Sequence, residues 1–149
     1  MILGYSFVLF DLTYNSRETN KKIDATVGPA FGVLSKARWQ GIGSERLIIT
    51  NATGKLGEVF GGKFTQNFAN IEMRPAGVII RVRYRLEVYG IVIPYAKLTL
   101  FKNNPGEVNV YGDGLQMTLK NYQGRAINQR FIQKLVEAKA NYFQENHVI

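Results

Sequence analysis

The chain has 149 residues, 46% of them hydrophobic and 12% aromatic, which suits one globular domain and argues against disorder over its whole length. It has no cysteine, so disulfides and thiolate metal sites are excluded, and a reducing, cytoplasmic location is expected. Because 19 Lys and Arg stand against 11 Asp and Glu, the net charge of +8 favours anionic partners.

The first forty residues are expected to form one strand followed by an irregular segment. Apolar and β-branched residues predict a strand over residues 5–13, and the absence of a positive leading segment argues against a signal peptide. Residues 15–22 are polar and predict a loop. For residues 23–39, a short helix and an irregular cover both remain open. Trp39 is expected to be a core or half-buried anchor, with a stacking platform for a ligand as the alternative.

Residues 41–125 are predicted to form an antiparallel β core. The run "ERLIIT" predicts a short strand, "TNATGKLG" predicts a turn-rich link, and further short strands are expected before Pro75. Over residues 78–88 the even positions are apolar, whereas the odd positions from Arg81 carry Arg83, Arg85 and Glu87. Since side chains alternate between the faces of a strand, this pattern predicts one continuous strand with a dry and a wet face.

The remaining segments predict a meander and a helix. Residues 97–102 and 107–111 should pair across a turn, and residues 115–120 should add a third strand that buries Leu115, Met117 and Leu119. Apolar residues at helical spacing predict one C-terminal amphipathic helix within residues 126–145.

The predicted fold is therefore a single domain over residues 1–149, mainly β with one helix. A bent antiparallel sheet or a small barrel is closed by the C-terminal helix, on which Lys134 and Glu137 should form a weak surface ion pair. The segments show no alternation of strand and helix, so no parallel nucleotide-binding sheet is expected.

The row Arg81, Arg83 and Arg85 is the most conspicuous candidate site. Alternate residues of a strand lie about 6.6 Å apart, so the guanidiniums would form a positive stripe. A solvated face with cross-strand ion pairs, an anion-binding site and an oligomer interface all remain open. Lys97 and Lys102 are predicted to assist the arginines in binding.

The predicted function is a non-enzymatic binding module whose basic face meets an anionic lipid surface or an acidic protein. A nucleic-acid binder is the alternative, and it would require exposed aromatic side chains beside the arginines. A homo-oligomer and a small-ligand barrel or enzyme also remain open.

No catalytic, cofactor-binding or metal-binding residue is predicted. Residues 57–63 match most of a phosphate-binding loop, but Phe64 stands where a hydroxyl is required, and a strand is expected next. The pair Gly41 and Gly43 lacks the third glycine of a dinucleotide fingerprint, since Arg46 occupies that place. The only histidine, His147, lies close to the chain end, where side chains are seldom fixed in a pocket.

From residue 41 to about residue 144, the order of segments resembles a bacterial pleckstrin-homology-like or GRAM-like domain. The stretch "GIGSERLIITNA" resembles that family's G-x-G-x-L-x-L-T-N strand and turn, and "FTQNFANIEMRPAGVIIRV" and "VIPYAKLTLF" resemble later strands. The resemblance implies a bent β-barrel capped by one helix, acting as a scaffold for lipid headgroups, peptides or proteins. The family's basic headgroup pocket is not carried over, because no Lys-x-Arg pattern matches it here.

Overall fold

The structure, a computed structural model, describes residues 8–54, 67–112 and 114–146. Over these residues the chain is mainly β, with eight antiparallel strands, three helices and a short 3-10 turn at Tyr95–Lys97. The strands are β1 (Val8–Asp11), β2 (Leu47–Gly54), β3 (Asn67–Arg74), β4 (Gly77–Tyr84), β5 (Glu87–Pro94), β6 (Thr99–Asn104), β7 (Glu107–Gly112) and β8 (Leu115–Asn121). The helices are α1 (Arg17–Val27), α2 (Val33–Trp39) and α3 (Gln129–Glu145).

All strands belong to one sheet with the order β1-β5-β4-β3-β2-β8-β7-β6. In the described part of the chain the edge strands β1 and β6 do not pair with each other, so the sheet is open and a closed barrel is not formed. The sheet nevertheless curls strongly. A Cβ atom placed on Gly112 of β7 would lie 3.3 Å from a side-chain carbon of Ile93 in β5, although four strands separate β5 from β7.

The concave side of the sheet holds the main core. Alternate apolar residues of the strands point into it, including the predicted set Leu115, Met117 and Leu119, and the predicted meander is confirmed by β6, β7 and β8. The predicted C-terminal helix is also confirmed. Helix α3 buries Phe131 and Leu135 in this core and thereby covers the concave side.

The polar segment predicted to be a loop is instead most of helix α1. The Ser16 hydroxyl caps this helix by accepting a hydrogen bond from the Thr19 N–H. Only Ile23 and Val27 are buried, and they pack with Ile79 in a second apolar cluster on the outer side of the sheet. Two apolar residues one turn apart are too weak a periodic signal for sequence analysis, and packing supplies the helix with its stability.

Helix α2 settles the ambiguous segment that follows α1. It ends at Trp39 and is capped by Gln40, whose backbone is left-handed at φ 58°. Trp39 packs half-buried against the main core, as expected for an anchor. The "TNATGKLG" segment differs from its prediction as a link, because β2 continues through it to Gly54. Residues 55–66 lie outside the described part of the chain.

The predicted continuous strand over residues 78–88 is wrong. Arg85 and Leu86 form a two-residue turn between β4 and β5, and Leu86 is 96% exposed instead of lying on a dry face. Across this hairpin Arg83 pairs with Val88, so the two side chains share one face. The turn was missed because it contains no glycine, proline, asparagine or aspartate, while polar and apolar residues happen to alternate through it.

Candidate functional site

The outer face of the sheet is only partly covered. Helix α1 packs Ile23 and Val27 over Ile79 at one end of β4. Farther along β4, Arg81 and Arg83 occupy the same face, because they alternate with the buried core residue Val82. The strand therefore changes from a covered to an open outer face within a few residues.

A groove of about 510 Å³ lies on this open part, and we call it the arginine groove. Strand pairing assembles the groove, since Asn70 of β3 lies opposite Arg81 of β4. Arg46 immediately precedes β2, which is the neighbour of β3 on the side away from β4. Three guanidiniums from two neighbouring regions of the sheet thus converge. The groove is lined by Ser44, Arg46, Phe68, Ala69, Asn70, Arg81, Arg83 and Val88.

Arg46 is held in place by aromatic rings. Its guanidinium carbon lies 4.9 Å from the ring centroid of Phe68 and 5.6 Å from that of Tyr122, and the two rings meet edge to face at 6.4 Å. Arg46 has no ion pair with another described residue. Because the N–H groups lie in the guanidinium plane, contact with ring faces leaves donors for an anion.

Arg81 is neutralised within the protein. Its Nη1 lies 2.7 Å from Glu72 Oε1, while the other oxygen of Glu72 accepts a hydrogen bond of 2.6 Å from Arg74 Nε. Arg74 also donates to Asp24 Oδ1 at 3.1 Å and to the Gly28 carbonyl at 3.0 Å, which ties the end of α1 to β3. This network balances two guanidiniums with two carboxylates at the edge of the covered region.

The environment of Glu72 reflects that network. Burial favours its neutral form, but the hydrogen bonds and charges of Arg74 and Arg81 outweigh burial, so the pKa of Glu72 is lowered from its ordinary value. Glu72 is therefore ionised at neutral pH. Its charge is committed to its two arginine partners.

Arg83 differs from Arg81 in having no carboxylate partner within the described part of the chain. It is exposed on β4, and among the described residues it makes no hydrogen bond or ion pair. Glu87 follows in the same hairpin, but its carboxylate accepts a hydrogen bond from the Tyr89 hydroxyl. That hydrogen bond raises the pKa of Tyr89 to about 12.

Arg85 does not belong to a strand face. It occupies the turn with φ 57°, a left-handed conformation that is strained for a residue with a side chain, and its guanidinium lies 5.3 Å from the ring centroid of Tyr84. The predicted stripe of three arginines is therefore wrong as a geometry. Two members lie on β4, and the third lies at the hairpin tip.

The two candidate lysines lie elsewhere. Lys97 is exposed in the 3-10 turn after β5, and Lys102 is exposed on the edge strand β6. Neither residue lines the arginine groove. The structure thus separates the five candidate residues into a groove pair, a tip residue and two outlying lysines.

The end of the sheet next to the groove, at the turn between β4 and β5, exposes apolar side chains. Leu86 follows Arg85 in the turn, directly beyond the paired residues of β4 and β5. Tyr14 lies at the same end of the sheet, because the neighbouring Thr13 hydroxyl accepts a hydrogen bond from the Val88 N–H. The Tyr14 side chain is 83% exposed. Cationic and apolar groups therefore occur together at this end; we call Tyr14, Arg85 and Leu86 the hairpin tip.

Sequence reasoning missed Arg46, Ser44, Asn70 and Phe68 as members of the site. Arg46 is separated from Arg81 by 35 positions, and only the pairing of β2 with β3 and of β3 with β4 brings them together. The alternation in "NFANIEM" does mark Phe68 and Asn70 as outward-facing. The sequence contains no signal for the register between these strands.

The motif with a phosphate-loop likeness, residues 57–63, and His147 lie outside the described residues. The pair Gly41 and Gly43 follows α2 and leads into β2, so a strand follows it as predicted and the helix required by a dinucleotide fingerprint is missing there. Among the residues that the structure describes, no cluster of three or more His, Asp or Glu side chains is arranged to hold a metal ion.

Within the described ranges, no helix combines the length and the apolar character needed to cross a bilayer. Comparison of the chain with family models, with curated proteins and with solved structures gives no match.

Proposed function

We propose that this chain is a binding module that docks on an anionic membrane surface through the arginine groove and the hairpin tip. The observation that carries the proposal is the position of Arg46 and Arg83 in a concave site, without an ion partner among the described residues, beside the exposed Leu86. A phosphate or carboxylate of a lipid headgroup would supply the missing counter-charge.

The electrostatics favour an anion over other ligands. The groove gathers three guanidiniums, and the Glu72 carboxylate is already shared by Arg81 and Arg74. The neutral amide of Asn70 lines the same space, whereas the Ser44 hydroxyl already donates a hydrogen bond to the Glu45 carbonyl. A negatively charged group entering the groove would therefore meet fixed positive charge and hydrogen-bond donors together.

The surrounding side chains favour a membrane over a nucleic acid. The rings of Phe68 and Tyr122 already hold the guanidinium of Arg46, so they are less available as stacking platforms for bases. Leu86 and Tyr14 instead offer an aliphatic and an aromatic group at the rim, which suit the headgroup and acyl boundary of a bilayer.

We further propose a pleckstrin-homology-like fold for the chain. Support comes from the succession of antiparallel strands followed by one C-terminal helix that packs on the concave side of a curled sheet. Two features depart from that pattern: the sheet is open in the described residues, and α1 and α2 add helices before β2.

The proposal is tested by cosedimentation with vesicles of phosphatidylcholine alone and with phosphatidylserine added. We expect binding only to the anionic vesicles, with an affinity that falls as salt is raised from low to physiological concentration. Leu86→Ser should weaken binding by about tenfold, because it removes one partly inserted apolar side chain. Leu34→Ser is the matched control, since Leu34 is likewise exposed, at 86% against 96% for Leu86, but lies on α2 and does not line the groove.

Three results would contradict the proposal. The first is equal binding to both kinds of vesicle, and the second is an equal loss in the two leucine variants. The third is tight, salt-sensitive binding to a single-stranded oligonucleotide with no affinity for anionic vesicles, which would favour the nucleic-acid interpretation.

A further inference from the structure

A second concave site lies between α2 and α3, and its lining residues differ from those of the arginine groove. It has a volume of about 640 Å³, and we call it the helix cleft. Its apolar wall consists of Phe31, Trp39 and Tyr142, which are half-buried and pack against the main core. The volume and the rigid aromatic wall suit a small ligand or a short peptide segment.

One end of the helix cleft is cationic. Arg38 of α2 and Arg130 of α3 both line it, and neither makes a hydrogen bond or ion pair with another described residue. Lys134 also lies there, but its ammonium donates to the carbonyls of Gln40 and Gly41 at 3.3 and 2.9 Å. The two arginines therefore remain available to an anionic group.

The engagement of Lys134 has a second consequence for the charges of this cleft. The predicted ion pair between Lys134 and Glu137 is not formed, because the lysine turns to the end of α2 instead. Glu137 and Glu145 consequently line the cleft without an ion partner among the described residues. Burial, together with the charge of Arg130, lowers the pKa of Lys134, which is consistent with crowding of cations at this end.

The charges are ordered along α3. Arg130, Glu137 and Glu145 fall on the side of the helix that lines the cleft, and at a rise of about 1.5 Å per residue Glu137 lies roughly 10 Å beyond Arg130. Arg130 and Glu137 form no ion pair with each other, and both line the cleft. A ligand that carries one charge of each sign could satisfy both residues.

We propose that the helix cleft binds a dipolar ligand, with a carboxylate held by Arg38 and Arg130 and an ammonium held by Glu137 about 10 Å away. An apolar body between the two charged groups packs on Trp39 and Tyr142. A free ω-amino acid and a peptide segment with acidic, apolar and basic side chains in succession both have this chemistry. The inference is independent of the function proposed for the arginine groove.

Trp39 is the only tryptophan of the chain and lines the cleft, so its fluorescence reports directly on occupancy. We would titrate the full chain with ω-aminooctanoate, with octanoate and with octylammonium, which share the apolar body and differ in charge. We expect a saturable change in Trp39 emission with ω-aminooctanoate, and an affinity about fivefold weaker for each singly charged probe. A blocked peptide containing Glu, Phe and Lys at alternate positions distinguishes a peptide source from a free amino acid.

Two variants assign the ends of the ligand. Arg130→Gln should weaken the binding of ω-aminooctanoate about fivefold without changing the affinity for octylammonium. Glu137→Gln should likewise weaken the binding of ω-aminooctanoate about fivefold, but without changing the affinity for octanoate. Arg125→Gln is the matched control, because Arg125 is an exposed arginine that does not line the cleft. The proposal is overturned if no probe changes the emission, or if octanoate or octylammonium binds as tightly as the zwitterion.

Discussion

The outer face of β4 has a covered half and an open half, and the difference between them locates the candidate site. In the covered half, Ile79 is buried beneath Ile23 and Val27 of α1. In the open half, two positions farther along the same face, Arg81 and then Arg83 take the place of apolar side chains. Cover by α1 thus ends where the apolar residues of the strand end.

The boundary between the halves is built from charges that balance one another. Arg74 is only 8% exposed and is paired with Glu72 and Asp24, whereas Arg83 in the open half has no ion pair among the described residues. Burial forces charges to be paired, because an unpaired buried charge is very costly. On the outer face of the sheet, available cations for a partner are therefore expected in the open half, at Arg46 and Arg83.

The largest expected effect on stability comes from adding a methyl group at Gly77, where the covered half is most tightly packed. A Cβ atom on Gly77 would lie 2.4 Å from the Ile93 carbonyl oxygen and 2.6 Å from a methyl carbon of Val27. Gly77→Ala should therefore destabilise the fold by about 3 kcal/mol, measured by urea denaturation. Gly32→Ala should have little effect, since no atom of the described residues outside the immediate chain neighbours lies within 4 Å of its Cβ position. Equal stability of the two variants would mean that α1 does not pack as closely as described.

Truncation of one side chain from each half should separate packing from charge. Ile79→Ala removes a fully buried side chain and should lower the free energy of unfolding by about 3 kcal/mol. Arg83→Gln should change it by less than about 0.5 kcal/mol, because Arg83 is exposed and unpaired among the described residues. A large loss of stability in Arg83→Gln would show that this residue has a structural role.

The boundary network should make stability depend on acid pH. The pKa of Glu72 is lower in the folded chain than its ordinary value of 4.5, so the unfolded state takes up its proton first as the pH falls. The stabilisation is complete above about pH 4.5 and is lost as the pH falls through the lowered folded pKa. Glu72→Gln should lower the free energy of unfolding by about 2 kcal/mol at neutral pH. It should also flatten the dependence of that free energy on pH below about pH 4.5.

The same substitution should also strengthen binding to anionic vesicles. Without the Glu72 carboxylate, Arg81 joins Arg46 and Arg83 as an unneutralised cation in the arginine groove. We expect Glu72→Gln to bind phosphatidylserine vesicles about fivefold more tightly, as one charge near a membrane surface is worth about 1 kcal/mol. Asp24→Asn is a useful comparison, because the Asp24 carboxylate pairs with Arg74 and does not line the groove. Weaker binding by Glu72→Gln would place the anion elsewhere.

Sequence patterns were sufficient for elements whose period is long and uninterrupted. The meander of β6, β7 and β8 and the helix α3 each present several apolar residues at one spacing. Helix α1 and the turn at Arg85 were missed, because the first has two buried residues and the second lacks turn-forming residue types. Their stability depends on contacts with distant strands, which no local pattern encodes.

The candidate site was only half visible from sequence for a related reason. Arg81 and Arg83 were found because they alternate along one strand. Arg46 was not, since its position beside Arg81 depends on the register of three strands. The pairing of Arg81 with Glu72, which removes it from the set of available cations, likewise appears only once β3 and β4 are aligned.

The most direct test of the account compares two double variants of identical net charge in binding to phosphatidylserine vesicles. Arg46→Gln with Arg83→Gln removes two groove cations, whereas Lys97→Gln with Lys102→Gln removes two exposed cations that lie outside the groove. At about 1 kcal/mol per cation, the groove variant should bind about 30-fold more weakly, and the lysine variant should stay within about threefold of the wild type. Equal weakening in both would contradict the account, because total charge and not the arginine groove would then determine binding.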